Sequence, residues 1–589
     1  MKKYLLPNKN GHGKISMENE KTSIGNEKLD TLLQMALSLS ETERGSMTNL
    51  NAGYDAANQT WELIVKYNGD INELAIANII VEPLLFGYAI VTLPEALIPA
   101  FAALDEVEFI EKPKLLFPQV TEGIMASCIW PVQNQSPFLS GKEILIGSID
   151  SGITYDSEAF FNADGTTRIV SIYDQSLSRE FTEEEINEAL KTGKRLPTVD
   201  VTGHGTAVAA IAAGSVGKYQ GVAYDASLLV VKLDSSNQFS YPMTTNLLRA
   251  FDYMLKKANA LKKPIAINVS FGNTYGSHDG RSLVERFIDS GAGYGRNVIC
   301  VGSGNEAAAS GHTSGRLKNN YDATQVSFFV GNYETNLSLQ LWKNYEDSFR
   351  VTLVSPGGER FTIPAFLEQE VTRKVQLEDT LIYVYEGGPR PYSTRQELYF
   401  QFHPLNRYIG EGIWTLEFVP ERIVTGVYEL YLPSQSIKSA YTRFLSPVTD
   451  MTLTIPSTAA GVVTVGAYDI RYNSYADFSG RGYVAVQQGE TVGEIFSVKP
   501  DLVAPGVGIV TTNGKETVTV NGTSFATPFV TGSAALMMQW GIGMGNDPYL
   551  YGEKVKAYLI RGAKPLPGIP VPSPMTGWGK LCLADSIPK

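Results

Sequence analysis

Val520–Gly532, VNGTSFATPFVTG, is the stretch from which the reading of this chain starts. A β-branched segment passes through Asn521-Gly522-Thr523 into an apolar helical run, Ala526 to Trp540. Ser524 therefore stands where a strand turns into a helix. The first turn of a helix leaves backbone N–H groups without intrahelical partners, and they can face an anion. A serine there can act as an acyl-transfer nucleophile. It can equally be a helix N-cap, the commoner task of Ser and Thr at that position. Partners elsewhere in the chain have to decide between the two.

Acyl transfer from an amide needs a base near neutral pKa and a group that orients it. The chain has five histidines. His12 lies in a polar tail, His278 in the loop GSHDG, His312 beyond an Ala-rich segment and His403 in a β-rich region. His204 differs, because GHGTAVAAIAAG places it where a Gly-flanked turn enters an apolar helix. Asp150 ends the apolar strand LIGSID, where it can accept from an imidazole or simply close a turn. Gly302-Ser303-Gly304-Asn305 follows another strand. The Asn305 amide can donate to a developing oxyanion together with the Ser524 N–H, or it can be a turn residue.

Around these residues the chain alternates apolar strands (EILIGSID, ASLLVVKL, PIAINVSF, NVICVGSG, GVVTVGAYD) with helical patterns at Ala207–Ala213 and Thr245–Lys262. That alternation predicts a doubly wound, mostly parallel α/β sheet, with active residues at the carboxyl ends of its strands. Between about Asn320 and Ser446 the texture changes to short alternating strands broken by Gly, Pro and Asn, which predicts an inserted all-β sandwich. Upstream, Leu29 to Leu37 form one helical face, and Ser40–Glu43 can open a second short helix. From Trp61 the order WELIVKY, NELAIANII, GYAIVTL, PEALIPAFAAL, VEFIEK reads as β-α-β-α-β, a small α/β domain.

Taken together, IDSGI, GHGTAVA, GSGN and NGTSFATPFVTG resemble the aspartate, histidine, oxyanion and serine motifs of the subtilisin-like serine proteases. GVAYDASLLVVKL, INVSFG and KPDLVAPG resemble framework segments of the same family. Asp150, His204, Ser524 is also that family's order along the chain. The resemblance implies a serine endopeptidase with those three residues catalytic and Asn305 in the oxyanion hole. It implies that Ser270, Phe271 and Gly272 pair with the substrate backbone, and that Gly302, Ser303 and Gly304 wall the pocket for the residue before the scissile bond. Ala207 and Phe529 stand where many members carry histidine, at positions outside the chemistry.

The small α/β domain is then a pro-domain, serving as folding assistant and inhibitor, with self-cleavage after Gln119 at the end of LLFPQ. The expected organisation is an N-terminal extension at 1–58, a pro-domain at 59–119, catalytic segments at 120–319 and 447–589, and an inserted jelly roll at 320–446. A retained pro-domain and a jelly-roll insertion resemble the Csp germination proteases of clostridial spores, which activate the zymogen of a cortex-lytic hydrolase. That resemblance implies a protein substrate and the protein's own pro-domain as partners. Two alternatives stay open: a catalytically silent Csp-like sensor or scaffold, and a protease whose jelly roll binds carbohydrate.

Composition excludes other classes. A net charge of -12 argues against nucleic acid or an anionic membrane as partner. No run approaches a membrane span and no signal peptide is evident, so a cytoplasmic or spore-associated location is expected. No loop shows a compact ligand pattern, so neither a metal nor a cofactor is expected. Cys128, Cys300 and Cys582 read as too few and too scattered for a disulfide framework. The helical insertion FTEEEINEAL, between Asp150 and His204, reads as a solvated face or a shaper of the cleft.

Overall fold

A computed structural model describes residues 28–41, 44, 48–69, 78–113, 120–215, 220–236, 240–318, 322–364, 371–388, 393–483 and 498–588. The chain divides into two compact units, Met1–Phe117 and Pro118–Lys589. Gln119, the expected cleavage position, lies outside the described residues, as do residues 72–77 of the first expected pro-domain helix.

The larger unit is built on a nine-stranded sheet. Seven of its strands matter for the site: β1 (Leu145–Asp150), β2 (Ile169–Asp174), β3 (Ser227–Lys232), β4 (Ile265–Val269), β5 (Asn297–Gly302), β6 (Val463–Asp469) and β7 (Leu502–Pro505). They lie in the order β7-β6-β5-β4-β1-β3-β2 and all pair in parallel. Two antiparallel strands, Arg179–Thr182 and Ser474–Tyr475, complete the sheet.

Helices α1 (His204–Ala213) and α4 (Thr523–Met538) cover one face, and α2 (Thr244–Ala260) and α3 (Leu283–Ala292) the other. Ile146, Val298 and Cys300 point into the first layer, whereas Ile149, Ile267 and Val301 point into the second. Every residue of β1 and β5 is buried, which is why these strands read as unbroken apolar runs instead of alternating ones. The expected helix at Thr245–Lys262 is α2, and FTEEEINEAL forms a helix over Glu183–Thr192 closed by a Thr182/Glu185 capping box.

Between β5 and β6 the chain leaves the α/β body and builds two antiparallel sheets, of six and five strands, around one core that includes Phe328, Phe400, Phe402, Trp414 and Phe418. The insertion begins earlier than residue 320: His312–Arg316 already pairs with Val427–Tyr431. His312 and His278, whose sequence settings pointed to no role, form the joint between insertion and body. The Tyr431 ring is sandwiched between them, 4.0 Å from His278 and 4.6 Å from His312. His278 Nδ1 lies 2.7 Å from the carbonyl oxygen of Leu453, and Tyr431 Oη donates to that of Met451. The insertion thereby grips the segment by which the chain re-enters the body.

Cys128 and Cys582 form a disulfide across a sequence separation of 454. This corrects the expectation from cysteine count. The two thiols meet because residues on both sides dock together, with Leu583 N donating to Ser127 O and Ala584 N to Cys128 O. Cys300 is a buried free thiol, and burial pushes its pKa up to about 12.

In the smaller unit, a helix at Thr31–Ser38 is capped by Asp30 and buries Leu33 and Ala36. Thr60–Tyr67, Tyr88–Pro94 and Val107–Glu111 form the expected strands, all antiparallel. An unexpected strand, Ile80–Leu84, takes the sheet edge beside Tyr88–Pro94. Among the described residues, no helix is long and apolar enough to cross a membrane.

Candidate active site

β1 and α1 carry the first two candidate residues. Asp150 is fully buried at the carboxyl end of β1, and its Oδ1 stands 2.7 Å from His204 Nδ1. The same oxygen accepts from Ser151 N at 2.7 Å. His204 is the first residue of α1 and its side chain keeps 30% of its surface exposed, so its other ring nitrogen can be reached from the cleft. The imidazole lies between two aromatic rings, Phe525 at 5.2 Å and Phe271 at 6.2 Å.

Burial is the largest influence on His204 and pushes its pKa down, but the charge and hydrogen bond of Asp150, and then the charge of Asp200, outweigh it. The net result is a pKa above the ordinary 6.5. A carboxylate against Nδ1 fixes the tautomer in which Nε2 is free to accept a proton.

Ser524 lies in the first turn of α4. The N-cap is Gly522, so the capping alternative for Ser524 falls away. The Ser524 hydroxyl is directed at the Ser270 carbonyl oxygen, 3.5 Å away, in this resting arrangement. The Ser270 side chain returns the contact, donating to Ser524 O at 3.2 Å, and is itself held by Asn268 Nδ2 at 3.0 Å. Asn268 Oδ1 also accepts from Thr531 Oγ1 of α4 at 3.0 Å, so β4 and the helix that carries Ser524 are cross-linked beneath the site.

Asn305 follows β5. Its Oδ1 accepts from Thr523 N at 3.1 Å and Thr523 Oγ1 at 3.2 Å. A backbone N–H can only donate, so the oxygen must face it and the amide nitrogen faces the other way. That nitrogen lies 3.5 Å from where a Cβ on Gly522 would stand, just ahead of the serine. The orientation suits a donor to an oxyanion at Ser524.

Ser270, Phe271 and Gly272 continue β4 toward the surface, where Gly272 is exposed. Gly302, Ser303 and Gly304 continue β5 alongside. Between the two lies Thr454, which sequence reasoning missed. A Cβ on Gly272 would come within 2.6 Å of Thr454 Oγ1, and one on Gly304 within 2.5 Å of Thr454 Cγ2. Thr454 N donates to Ser303 O, and Ile455 pairs with Asn273. No local signal marks Thr454, because it enters the site from the far side of the insertion. The structure thus brings Asp150, His204, Ser524, Asn305 and both strand extensions to one edge of the sheet, the carboxyl end expected for a doubly wound fold.

Residues 141–386 and 443–579 match the subtilase family, and residues 27–114 match the Csp protease B prodomain. The solved structure of the Clostridium perfringens CspB protease is similar at a TM-score of 0.73 and 35% identity, covering 79% of this chain and 96% of that one. Two curated relatives are cuticle-degrading serine proteases. The one from Arthrobotrys oligospora is 34% identical over 110 residues and the one from Orbilia oligospora 31% over 139. These matches span 18% and 23% of this chain and only 23% and 28% of the relatives' own lengths.

Proposed function

We propose, from the premise that this chain belongs to the subtilase family and is a serine protease carrying a Csp-type prodomain, that Ser524 is its nucleophile, His204 its base and Asp150 the group that orients that base. The observation that carries this reading is the 2.7 Å contact between Asp150 and His204, whose ring lies 5.2 Å from that of Phe525, the residue after Ser524. Rotation of the Ser524 hydroxyl from the Ser270 carbonyl toward His204 Nε2 prepares the attack. His204 takes the proton as Oγ bonds to the substrate carbonyl, and Asp150 stabilises the imidazolium. The Asn305 amide and the Ser524 N–H hold the oxyanion. His204 then protonates the leaving amine, and water releases the acyl-enzyme by the same route in reverse.

The substrate is a protein. Its backbone pairs with residues 270–272, and the side chain before the scissile bond enters between residues 270–272 and 302–304, above Thr454. The first substrate is the chain itself, cut after Gln119, and the two sheets of the insertion are a jelly roll. The likeness to a Csp protease supports a physiological substrate among the cortex-lytic zymogens of the germinating spore. A second reading, an insertion that also binds carbohydrate, is favoured by Tyr333 and Tyr441, exposed at 74% and 69%, with Tyr333 edge-on to Tyr408 at 5.3 Å.

Intact mass of the purified wild type and Ser524→Ala tests the main reading. The wild type should resolve into two species cut near residue 119, whereas Ser524→Ala should keep its full mass. A wild type that remains whole under conditions where it is folded rejects self-cleavage, and failure of a fluorophosphonate to label Ser524 in that preparation rejects the nucleophile.

A further inference from the structure

A second carboxylate, Asp200, sits four residues before His204 and is only 5% exposed. Its oxygens are divided between two parts of the fold. Oδ1 accepts from Ser151 Oγ at 2.9 Å, Gly203 N at 3.0 Å and Thr202 Oγ1 at 3.3 Å. Oδ2 accepts from Thr206 N at 2.9 Å and Thr206 Oγ1 at 2.7 Å. Ser151 follows Asp150 directly, and its hydroxyl also accepts from Gly205 N at 3.0 Å. One side chain therefore ties the residue after Asp150 to the residues on both sides of His204.

We propose that Asp200 is the positioning residue of this site: it fixes α1 against the end of β1, and it supplies the second negative charge that lets His204 become an imidazolium. The proposal rests on the reading of Asp150, His204 and Ser524 as the reacting set.

Two physical problems make such a residue necessary. The first is register. Fifty-three residues, 151–203, separate Asp150 from His204 and make an excursion through β2 and the Glu183–Thr192 helix, so chain connectivity cannot hold a 2.7 Å contact. A carboxylate accepting from both segments can. The second is electrostatic. His204 is the first residue of a helix, where the macrodipole presents positive charge, and an imidazolium is disfavoured there. Asp200 takes the N–H of Thr206 in that same turn and so offsets the positive end.

The groups facing His204 are few. Asp150 faces it from β1 and Asp200 from its own loop, and the rings of Phe271 and Phe525 close the sides. Lys232, opposite Asp150 on β3, is paired with Asp174 at 3.1 Å. Asp150 hydrogen-bonds the ring, and Asp200 acts through the backbone and the field.

Selective ¹⁵N-histidine NMR titration of the full chain in a Ser524→Ala background tests the proposal without requiring activity, with His204 assigned by His204→Gln. Asp200→Asn should lower the His204 titration midpoint by roughly one pH unit, the size expected for loss of a nearby opposite charge. In the Ser524-containing chain, the same substitution should slow fluorophosphonate labelling about 100-fold, as a misplaced base would, and move its acid limb down with the midpoint. Ser151→Ala, which removes the link while keeping the charge, should slow labelling and leave the midpoint within a few tenths of a unit, and it serves as the second variant if Asp200→Asn does not fold. An unmoved midpoint in Asp200→Asn, with or without a fall in melting temperature, overturns the electrostatic role. Unchanged labelling in Ser151→Ala overturns the positioning role. A wild type that is not labelled strikes the protease reading alone and leaves the titration to judge Asp200.

Discussion

Gly205 lies against Gly152 with no room for a side chain between them. A Cβ on Gly205 would stand 2.3 Å from the Gly152 carbonyl oxygen and 3.0 Å from the Cβ of Asp150. The glycine after His204 therefore lets α1 reach β1. Gly205→Ala should displace the start of α1, lengthen the Asp150–His204 contact and lower the rate of Ser524 labelling by about 100-fold, since displacements near 1 Å at a reacting group carry that cost. Far-ultraviolet circular dichroism should be unchanged. Wild-type labelling by Gly205→Ala would show that the close approach does not serve the site.

With His204 as the proposed base, its protonation is expected to set the acid side of the pH profile. Burial, the largest single influence, lowers its pKa, but Asp150 and Asp200 together outweigh it and leave the pKa above 6.5. The base works only when neutral, so kcat/KM should fall as pH drops through a midpoint above 6.5. Asp150→Asn should move that midpoint down and reduce the plateau. A wild-type acid limb centred below 6.5 would contradict the charge balance described for the site.

The amide of Asn305 is oriented by Thr523. Asn305→Ala should reduce kcat by about 100- to 1000-fold with little change in KM, the loss seen when the equivalent donor of subtilisin is removed. Asn305→Asp keeps an acceptor for Thr523 N and points a second acceptor at the oxyanion, so it should be worse than alanine. Equal activity of the two variants, measured on one peptide substrate, would argue that the amide nitrogen makes no contact with the transition state.

Thr454 fills the space between Gly272 and Gly304. Thr454→Gly should deepen that space and shift cleavage of a peptide library toward larger residues before the scissile bond. Removing two side-chain carbons and a hydroxyl changes discrimination by about 10- to 200-fold per added methylene. An unchanged preference would place the pocket elsewhere.

Asp150, His204, Asn305 and Ser524 were singled out in the sequence because their ordered motifs resemble those of a known family; the local patterns alone, a strand end, a helix start, a loop after a strand and a helix start, left each open to a structural role. The parallel sheet was legible because strands buried on both faces are written as continuous apolar runs. What the sequence did not reach is non-local. Asp200 meets Ser151 across 49 positions, and Thr454 arrives from beyond the insertion. The strand Ile80–Leu84 was hidden by Pro83, a residue that an edge strand such as this one tolerates. The onset of the insertion was misplaced because HTSGR carries little apolar character, although it pairs along its whole length.

The bridge between Cys128 and Cys582 turns nearly the whole of the larger unit into one covalent ring. A single backbone cut anywhere from 129 to 581 opens that ring without releasing a fragment, whereas a cut ahead of Cys128 detaches everything upstream of it. For an endopeptidase that meets other copies of itself, the difference is practical: a stray nick in a surface loop within the ring leaves both halves of the split catalytic body tethered, and only the segments outside the ring, chiefly the leading one, can be shed.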